Sequence, residues 1–289
     1  MVKMDSIKEA ISAISIGMVV ADFLRKTGRV LQAIEVYKEC LIIIHSQVLV
    51  IEISLANIMF CVIYLKLICA YDYIKDYTNT ENYLKELFLY LDSHDPAKKG
   101  WLHLKLAEIL RVQSKFMEAW NFYESAINIM KTIGDTHGQG VCYIRLGKMF
   151  QSLNQYDKAR EYQEKALATT IESGDRDGEA TSYRNLGTLF QSLGHYDKAR
   201  KYQKKALAIT IESGDRYGEA RSYGNLGTLF QSLGHYDKAR EYQEKALAIR
   251  IEIGDRDGEA TSYGNLGTLF QSLGHYDKAR EYQEKALAI

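Results

Sequence analysis

The apolar residues of this chain recur at helical spacing. Tyr183, Leu186, Phe190 and Leu193 follow one another at steps of three, four and three, which puts them on one face of a helix. After Gly194 the pattern resumes with Tyr196, Ala199, Tyr202, Ala206 and Ile209, again a single helical face. Gly194 suits the left-handed residue that ends a helix. Asp197 falls in the first turn of the second helix, where a negative charge complements the helix dipole. Glu161 with Lys165 and Glu241 with Lys245 stand four apart in the favourable order. Gly187, beside the first stripe, leaves room for a second helix to come close. The stretch ESGDRDGEA then turns the chain onward. The expected unit is a helical hairpin with one buried face per helix.

The hairpin is written repeatedly. Asp135, Asp175, Asp215 and Asp255 open successive units of 40 residues, and the 26 residues 224–249 recur letter for letter at 264–289. Over 215–249 and 255–289 only Tyr217/Asp257 and Arg221/Thr261 differ. A fixed period of this size marks a solenoid, because a two-helix unit cannot bury its apolar faces alone and must stack on its neighbours. Residues 107–127 fit one unit earlier, beginning near Asp95. Residues 24–43 keep the same Gly, Ala and apolar spacing, and 53–91 fit loosely. The expected organisation is an all-α solenoid of about seven units. Divergent helical repeats occupy 1–94. A regular array occupies 95–289, with units near 95–134, 135–174, 175–214, 215–254 and 255–289, the last one truncated.

Tyr183, Leu186, Gly187, Phe190, Ala199 and Ala206 match the pattern W-x2-L-G-x2-Y, then A-x3-F, then A, with Tyr183 standing for the Trp. On these residues the array resembles the tetratricopeptide repeat (TPR) family. The resemblance implies a right-handed superhelix of helix-turn-helix units that binds other proteins. Gln203 departs from the pattern where an aromatic is expected, and a longer helix with a Gly-Asp-Arg turn replaces the closing Pro. The unit is therefore 40 residues rather than about 34. That longer form resembles the repeats of Pins-type G-protein signalling modulators, which are spindle-orientation adaptors. It also resembles long TPR proteins with a C-terminal caspase-like CHAT domain. The likeness is strong over 95–289 and weak before it. Because fold and function are separate claims, the leading expectation is a non-catalytic scaffold, and the second is the regulatory part of a larger CHAT-type enzyme.

Composition narrows the alternatives. Lys plus Arg and Asp plus Glu are 37 each, so the formal charge is zero. A dedicated nucleic-acid binder carries a basic domain, which weighs against an RNA-binding helical repeat of the pentatricopeptide kind. The one proline, Pro96, fits a nearly all-helical chain. Cys40, Cys61, Cys69 and Cys142 form no C-x-x-C pair and read as buried apolar residues in a reducing compartment. The N-terminus carries acidic residues where a signal peptide would have a clean apolar run and cleavage site, so a cytoplasmic location is expected. Residues 48–71 are apolar, but Glu52 and Lys66 leave 13 uncharged residues between them, short of the roughly 17–25 of a membrane span. The expected role of this stretch is a buried repeat helix.

Candidate chemistry is sparse. GQGVCY at 138–143 has Tyr where a dinucleotide fingerprint needs its third Gly, and no strand precedes it. No phosphate-loop, H-E-x-x-H or G-x-S-x-G motif is present. His195, His235 and His275 recur at a turn every 40 residues. Helices about 8–10 Å apart spread them out instead of gathering them around a metal. No catalytic residue, cofactor or metal site is expected.

The remaining candidate is a surface. In the TPR family the first helix of each unit lines a concave groove. One unit offers Thr181, Arg184, Asn185, Thr188 and Gln191 there, and its neighbours offer the equivalent positions. Asn185, Asn225 and Asn265 resemble the groove asparagines that pair with a peptide backbone in this family, and an amide does offer both donor and acceptor. Over five units the 25 lining positions hold six bases (Lys105, Arg111, Arg145, Lys148, Arg184 and Arg221) and one acid, Glu108. Composition alone would give about three of each. The bias points to an acidic peptide gripped by guanidinium forks; ordinary solvated helix positions are the alternative. Arg184/Gly224 and Arg221/Thr261 vary on this lining while the packing residues do not. The final helix stops at Ile289, where its predecessor runs on to about Ile253. This suggests a fragment, a truncated gene model or a further C-terminal domain. An uncapped last hairpin, with Leu287 and the edge of Tyr282 in water, would self-associate weakly.

Overall fold

A computed structural model describes residues 2–47, 51, 53–90 and 95–289. Among the described residues there are fourteen helices and no strand. They pair in chain order into seven hairpins. The chain folds as two compact units, Met1–Gly134 and Asp135–Ile289. The first holds α1 (Val2–Lys26) with α2 (Val30–Gln47), α3 (Ile53–Tyr73) with α4 (Tyr77–Tyr90), and α5 (Pro96–Val112) with α6 (Phe116–Thr132). The second holds α7 (Thr136–Ser152) with α8 (Tyr156–Glu172), α9 (Arg176–Ser192) with α10 (Tyr196–Ser213), α11 (Arg216–Ser232) with α12 (Tyr236–Glu252), and α13 (Arg256–Ser272) with α14 (Tyr276–Leu287).

In the second unit each hairpin opens on Asp for a local reason. The carboxylates of Asp135, Asp175, Asp215 and Asp255 accept from the backbone N–H of Gly138, Gly178, Gly218 and Gly258 at 2.8–3.0 Å. Each satisfies one of the donors left open at a helix start. The turn inside the hairpin is set at Gly194, whose φ is +74°. There His195 N–H donates to Phe190 O at 2.8 Å and Gly194 N–H to Gln191 O at 3.0 Å, the two bonds of a Schellman close. Ser114 and Asn154 hold the same left-handed conformation with side chains attached, at φ of 63° and 57°.

Two aromatic residues of the first helix clasp one of the second. Phe190 stacks on Tyr202 with centroids 5.5 Å apart and an interplanar angle of 12°, and Tyr183 meets the same ring at 5.9 Å. Phe150 on Tyr162, Phe230 on Tyr242 and Phe270 on Tyr282 repeat the stack at 5.3–5.4 Å. Leu186, Ala199 and Ala206 are fully buried beside it. Leu193, expected on the same stripe, is 37% exposed, because α9 ends at Ser192 and Leu193 is its C-cap.

Where the repeat pattern calls for an aromatic, Gln203 is fully buried. Its Nε2 donates to the Arg184 carbonyl at 3.1 Å and lies 3.4 Å from Thr188 Oγ1. It lies directly over Gly187, where a Cβ would come within 2.5 Å of Nε2. The close approach expected at Gly187 is therefore made by this amide.

The first unit interlocks by other means. α3 is long and apolar enough to cross a membrane, with mean hydropathy 1.6 over Leu55–Tyr73. Yet it packs between α2 and α4 and buries Phe60, Ile63, Tyr64, Leu67 and Tyr71. Tyr90 on α4 meets Phe60 at 4.5 Å and Tyr64 at 5.4 Å. Lys66 on α3 pairs with Asp22 on α1 at 2.8 Å, and Tyr37 also donates to Asp22. Residues 48–50 and Glu52 of the apolar stretch, and Leu91 at the end of the loosely fitting repeat, lie outside the described residues. Buried Glu81 receives Lys115 at 2.8 Å and Lys85 at 2.5 Å. Burial alone would raise its carboxyl; the two ammonium groups hold it below the usual range. No disulfide joins the four cysteines. Cys40 and Cys142 are buried as expected, but Cys61 is half-buried and Cys69 exposed, since Cys69 lies on the solvent side of α3.

Two outcomes follow from these hairpins. Gly194→Ala should destabilise the second unit by about 1 kcal/mol, and Ser114→Gly should stabilise the first by a similar amount, both read from urea midpoints. In α14 only Ala279 is buried, whereas α12 buries five residues, and Leu287 is 87% exposed. Amides of 281–287 should therefore exchange with solvent faster than those of 241–247; equal protection would contradict this.

Candidate functional site

In the second unit the first helices contact one another in sequence, α7 with α9, α9 with α11 and α11 with α13, and so line one face. Gln191 Nε2 donates to Ser232 Oγ at 3.1 Å and Gln231 Nε2 to Ser272 Oγ at 3.2 Å, tying neighbours at matching places. Two open depressions lie on this face, one repeat apart. The first, of about 350 Å³, is lined by Thr188, Ser192, Tyr196, Asn225 and Thr228 among others. The second, of about 430 Å³, is lined by Thr228, Ser232, Tyr236, Asn265 and Thr268 among others. Hydroxyls and amides dominate both, a lining suited to the N–H and C=O groups of an extended main chain.

The asparagines have a structural role as well. Asn225 Nδ2 donates to Gln203 Oε1 at 3.5 Å, and Asn265 Nδ2 to Gln243 Oε1 at 3.4 Å. Each buried glutamine thus links its own hairpin to the next. One side of these amides is directed into the stack, while both residues remain half-buried beside the depressions. The relay lapses at Asn185. Its Nδ2 is buried without a partner, as is Gln163 Oε1, because Gln163 instead donates to Gln151 at 3.1 Å. The position that carries the Thr188 and Thr228 hydroxyls in the later hairpins is Lys148 in this one.

The six basic candidates fall into two groups. In the first unit Lys105 donates to Asp72 at 2.6 Å. Arg111 pairs with Glu108 at 3.0 Å, which also accepts from Tyr123. Both cations are already engaged by carboxylates. Asp72 lies on α3, outside the helices whose lining positions showed the basic excess. In the second unit Arg145 and Lys148 are exposed on α7, and Arg221 is exposed on α11 with its guanidinium 5.8 Å from the Tyr217 ring centroid. Arg184 is only 5% exposed. Burial first, and then the neighbouring Arg221, push its guanidinium down to about 10, against the opposing pull of Asp215 and Asp177. Tyr217 and Arg250 also belong to this neighbourhood, although neither is among the sequence candidates. Their signal in the sequence is that they break a near-perfect repeat.

His195, His235 and His275 are N-caps of α10, α12 and α14, each within 6.1–6.3 Å of the preceding Phe ring. Among the described residues no group of three or more His, Cys, Asp or Glu could hold a metal ion.

The family model described as tetratricopeptide repeat matches residues 100–172, 156–212, 178–252 and 218–289. No curated protein sequence matches the chain. Among solved structures, BtubC (BKLC) from P. vanneervenii is 25% identical with a TM-score of 0.61, covering 74% of this chain and 88% of its own. The apo form of RapI is 16% identical with a TM-score of 0.70, covering 95% and 96%. A Rap protein complexed with Competence and Sporulation Factor is 15% identical with a TM-score of 0.62, with the same coverage. The last two likenesses concern the fold alone.

The amide relay is directly testable. Gln203→Leu preserves bulk but removes the bonds to Arg184 O and Asn225, and should destabilise the second unit by about 1–3 kcal/mol in urea unfolding. Gln163→Leu, at the lapsed link, should cost less.

Proposed function

The chain belongs to the tetratricopeptide repeat family, and on that premise we propose that it is a non-catalytic scaffold that holds an acidic peptide segment of a partner protein. The segment lies along the first-helix face of the second unit. One observation carries this reading. Arg145, Lys148 and Arg221 stand exposed on the face that also holds the two depressions lined by hydroxyls and amides. The whole protein has no net charge, so this excess is local. Main-chain groups of the segment would meet Thr228, Asn225 and Asn265, and its carboxylates would meet the cations. A TPR-like fold with a bound factor is precedented by the Rap complex.

The 40-residue unit supports a narrower placement as a cytoplasmic signalling adaptor of the Pins type. A regulatory part of a larger CHAT-type protein is the second placement, and sequence from the intact gene separates the two. Exposed Tyr276 and Leu287 on α14 support weak self-association through the last hairpin.

The test is charge reversal at exposed positions. Arg184 is left intact, because a carboxylate there would be buried beside Asp215 and Asp177. Arg145→Glu, Lys148→Glu and Arg221→Glu together should weaken an acidic peptide partner by roughly a hundredfold, at about 1 kcal/mol per exposed contact, with an unchanged circular dichroism spectrum. Equal affinity in wild type and triple variant would sink the reading.

A further inference from the structure

Seven positions separate the hairpin 175–214 from the hairpin 215–254, and four of them involve one small neighbourhood. At these four, Asp177 becomes Tyr217, Thr181 becomes Arg221, Arg184 becomes Gly224, and Thr210 becomes Arg250. The hairpin 255–289 returns to Asp257 and Thr261 and keeps Gly264. Drift after duplication would scatter such differences. Here three of them set Arg221 of α11 between Arg184 of α9 and Arg250 of α12, within the field of each.

The contacts are specific. The Arg221 guanidinium lies by the Tyr217 ring. Arg184 and Arg250 are each acted on by both Arg221 and Tyr217. The Arg250 guanidinium fills the space beside Gly224, where a Cβ would lie 3.7 Å from its Nη2.

The fold satisfies these cations incompletely. Arg184 Nη2 donates to Thr181 Oγ1 at 2.8 Å, but its Nε and Nη1 are buried with no acceptor. Arg250 Nη1 donates to Ser262 Oγ at 2.9 Å and Gly258 O at 2.5 Å, and its Nε has no acceptor. Of the nearby acids, Asp215 and Asp255 cap their own helices, and Asp177 is exposed. Buried cations without full pairing are unfavourable, and the depressed titration of Arg184 has that cause. An arriving anion would relieve it.

We propose that Arg184, Arg221 and Arg250 form a binding site for one phosphoryl group, with Tyr217 at its rim. Three guanidiniums match the near-dianionic charge and three acceptor oxygens of a phosphate monoester better than the single charge of a carboxylate. As a phosphorylated side chain on the acidic segment, this ligand rests on the scaffold reading; as free phosphate, it does not.

The test uses the full chain and a variant that gives each position a residue already present in another hairpin: Arg184→Gly, Arg221→Thr and Arg250→Thr. Arg221→Thr alone is the milder companion, and circular dichroism checks both folds. The probes are inorganic phosphate against chloride at matched ionic strength, and a blocked acidic peptide with and without one phosphoserine. Phosphate should raise the melting temperature of the wild type and not of the triple variant. The phosphoserine peptide should bind about tenfold more tightly than its serine form, an advantage lost in the triple variant and reduced in Arg221→Thr. Equal phosphate shifts in wild type and variant, or no shift in either, overturn the site. If the unphosphorylated peptide binds and phosphorylation adds nothing, the site is overturned while the scaffold reading stands. If phosphate protects through the three arginines and neither peptide binds, the site stands and the scaffold reading fails.

Discussion

The close approach of two helices at Gly187, with the amide of Gln203 pressed over it, is the constraint on which the regular array depends. A buried amide must find partners, and Gln203 finds them on its own hairpin at the Arg184 carbonyl and on the next at Asn225. Sliding one helix along the other would strand those groups, so the amide sets register as well as proximity. The flanking Phe–Tyr stacks add apolar contact, which is non-directional and would tolerate more than one register. Gln243 repeats the arrangement with Gly224 and Asn265. This accounts for near-identical lettering in these hairpins: each residue of the set has a fixed partner, and changing one leaves another unsatisfied.

That rigidity frees the positions around it. The glutamine relay, the aromatic clasp and the Asp caps are common to the hairpins 175–214 and 215–254. The differences between them are confined to other residues, and three of those differences gather arginine. A scaffold with an invariant interior can acquire a local charge site without disturbing its stack. The neighbouring hairpins carry Thr or Gly at the same positions and keep the same fold.

The first unit reaches a comparable result by different chemistry. The Tyr and Phe cluster around Tyr90 closes the α3–α4 hairpin, and the Lys66–Asp22, Lys105–Asp72 and Lys115–Glu81 pairs join one hairpin to the next. Lys105 in one of those pairs, and Arg111 in its pair with Glu108, are cations that a count along the sequence would offer to a partner. The candidate cations of the two units therefore differ: Lys105 and Arg111 meet carboxylates in the first, whereas Arg145, Lys148 and Arg221 are exposed in the second.

Much of the fold was legible in the sequence because its causes are local. The helical stripes, Gly194 as a left-handed terminator, Asp at each unit's start and the 40-residue period act within a few residues or by simple repetition. Asn225 and Asn265 on the first-helix face and exposed Arg145, Lys148 and Arg221 could likewise be placed by register, whereas Asn185 is buried. Tertiary structure decided the rest, because it depends on residues far apart in the chain. Lys105 met an acid 33 positions away, Asn225 turned its amide to a glutamine 22 positions back, and Leu193 fell just past the helix end. Arg184 took its buried place among the neighbours that α11 and α12 bring to it. No period in the sequence reports which charges will be neutralised when helices stack, since that is settled by distances that exist only after the stack has formed.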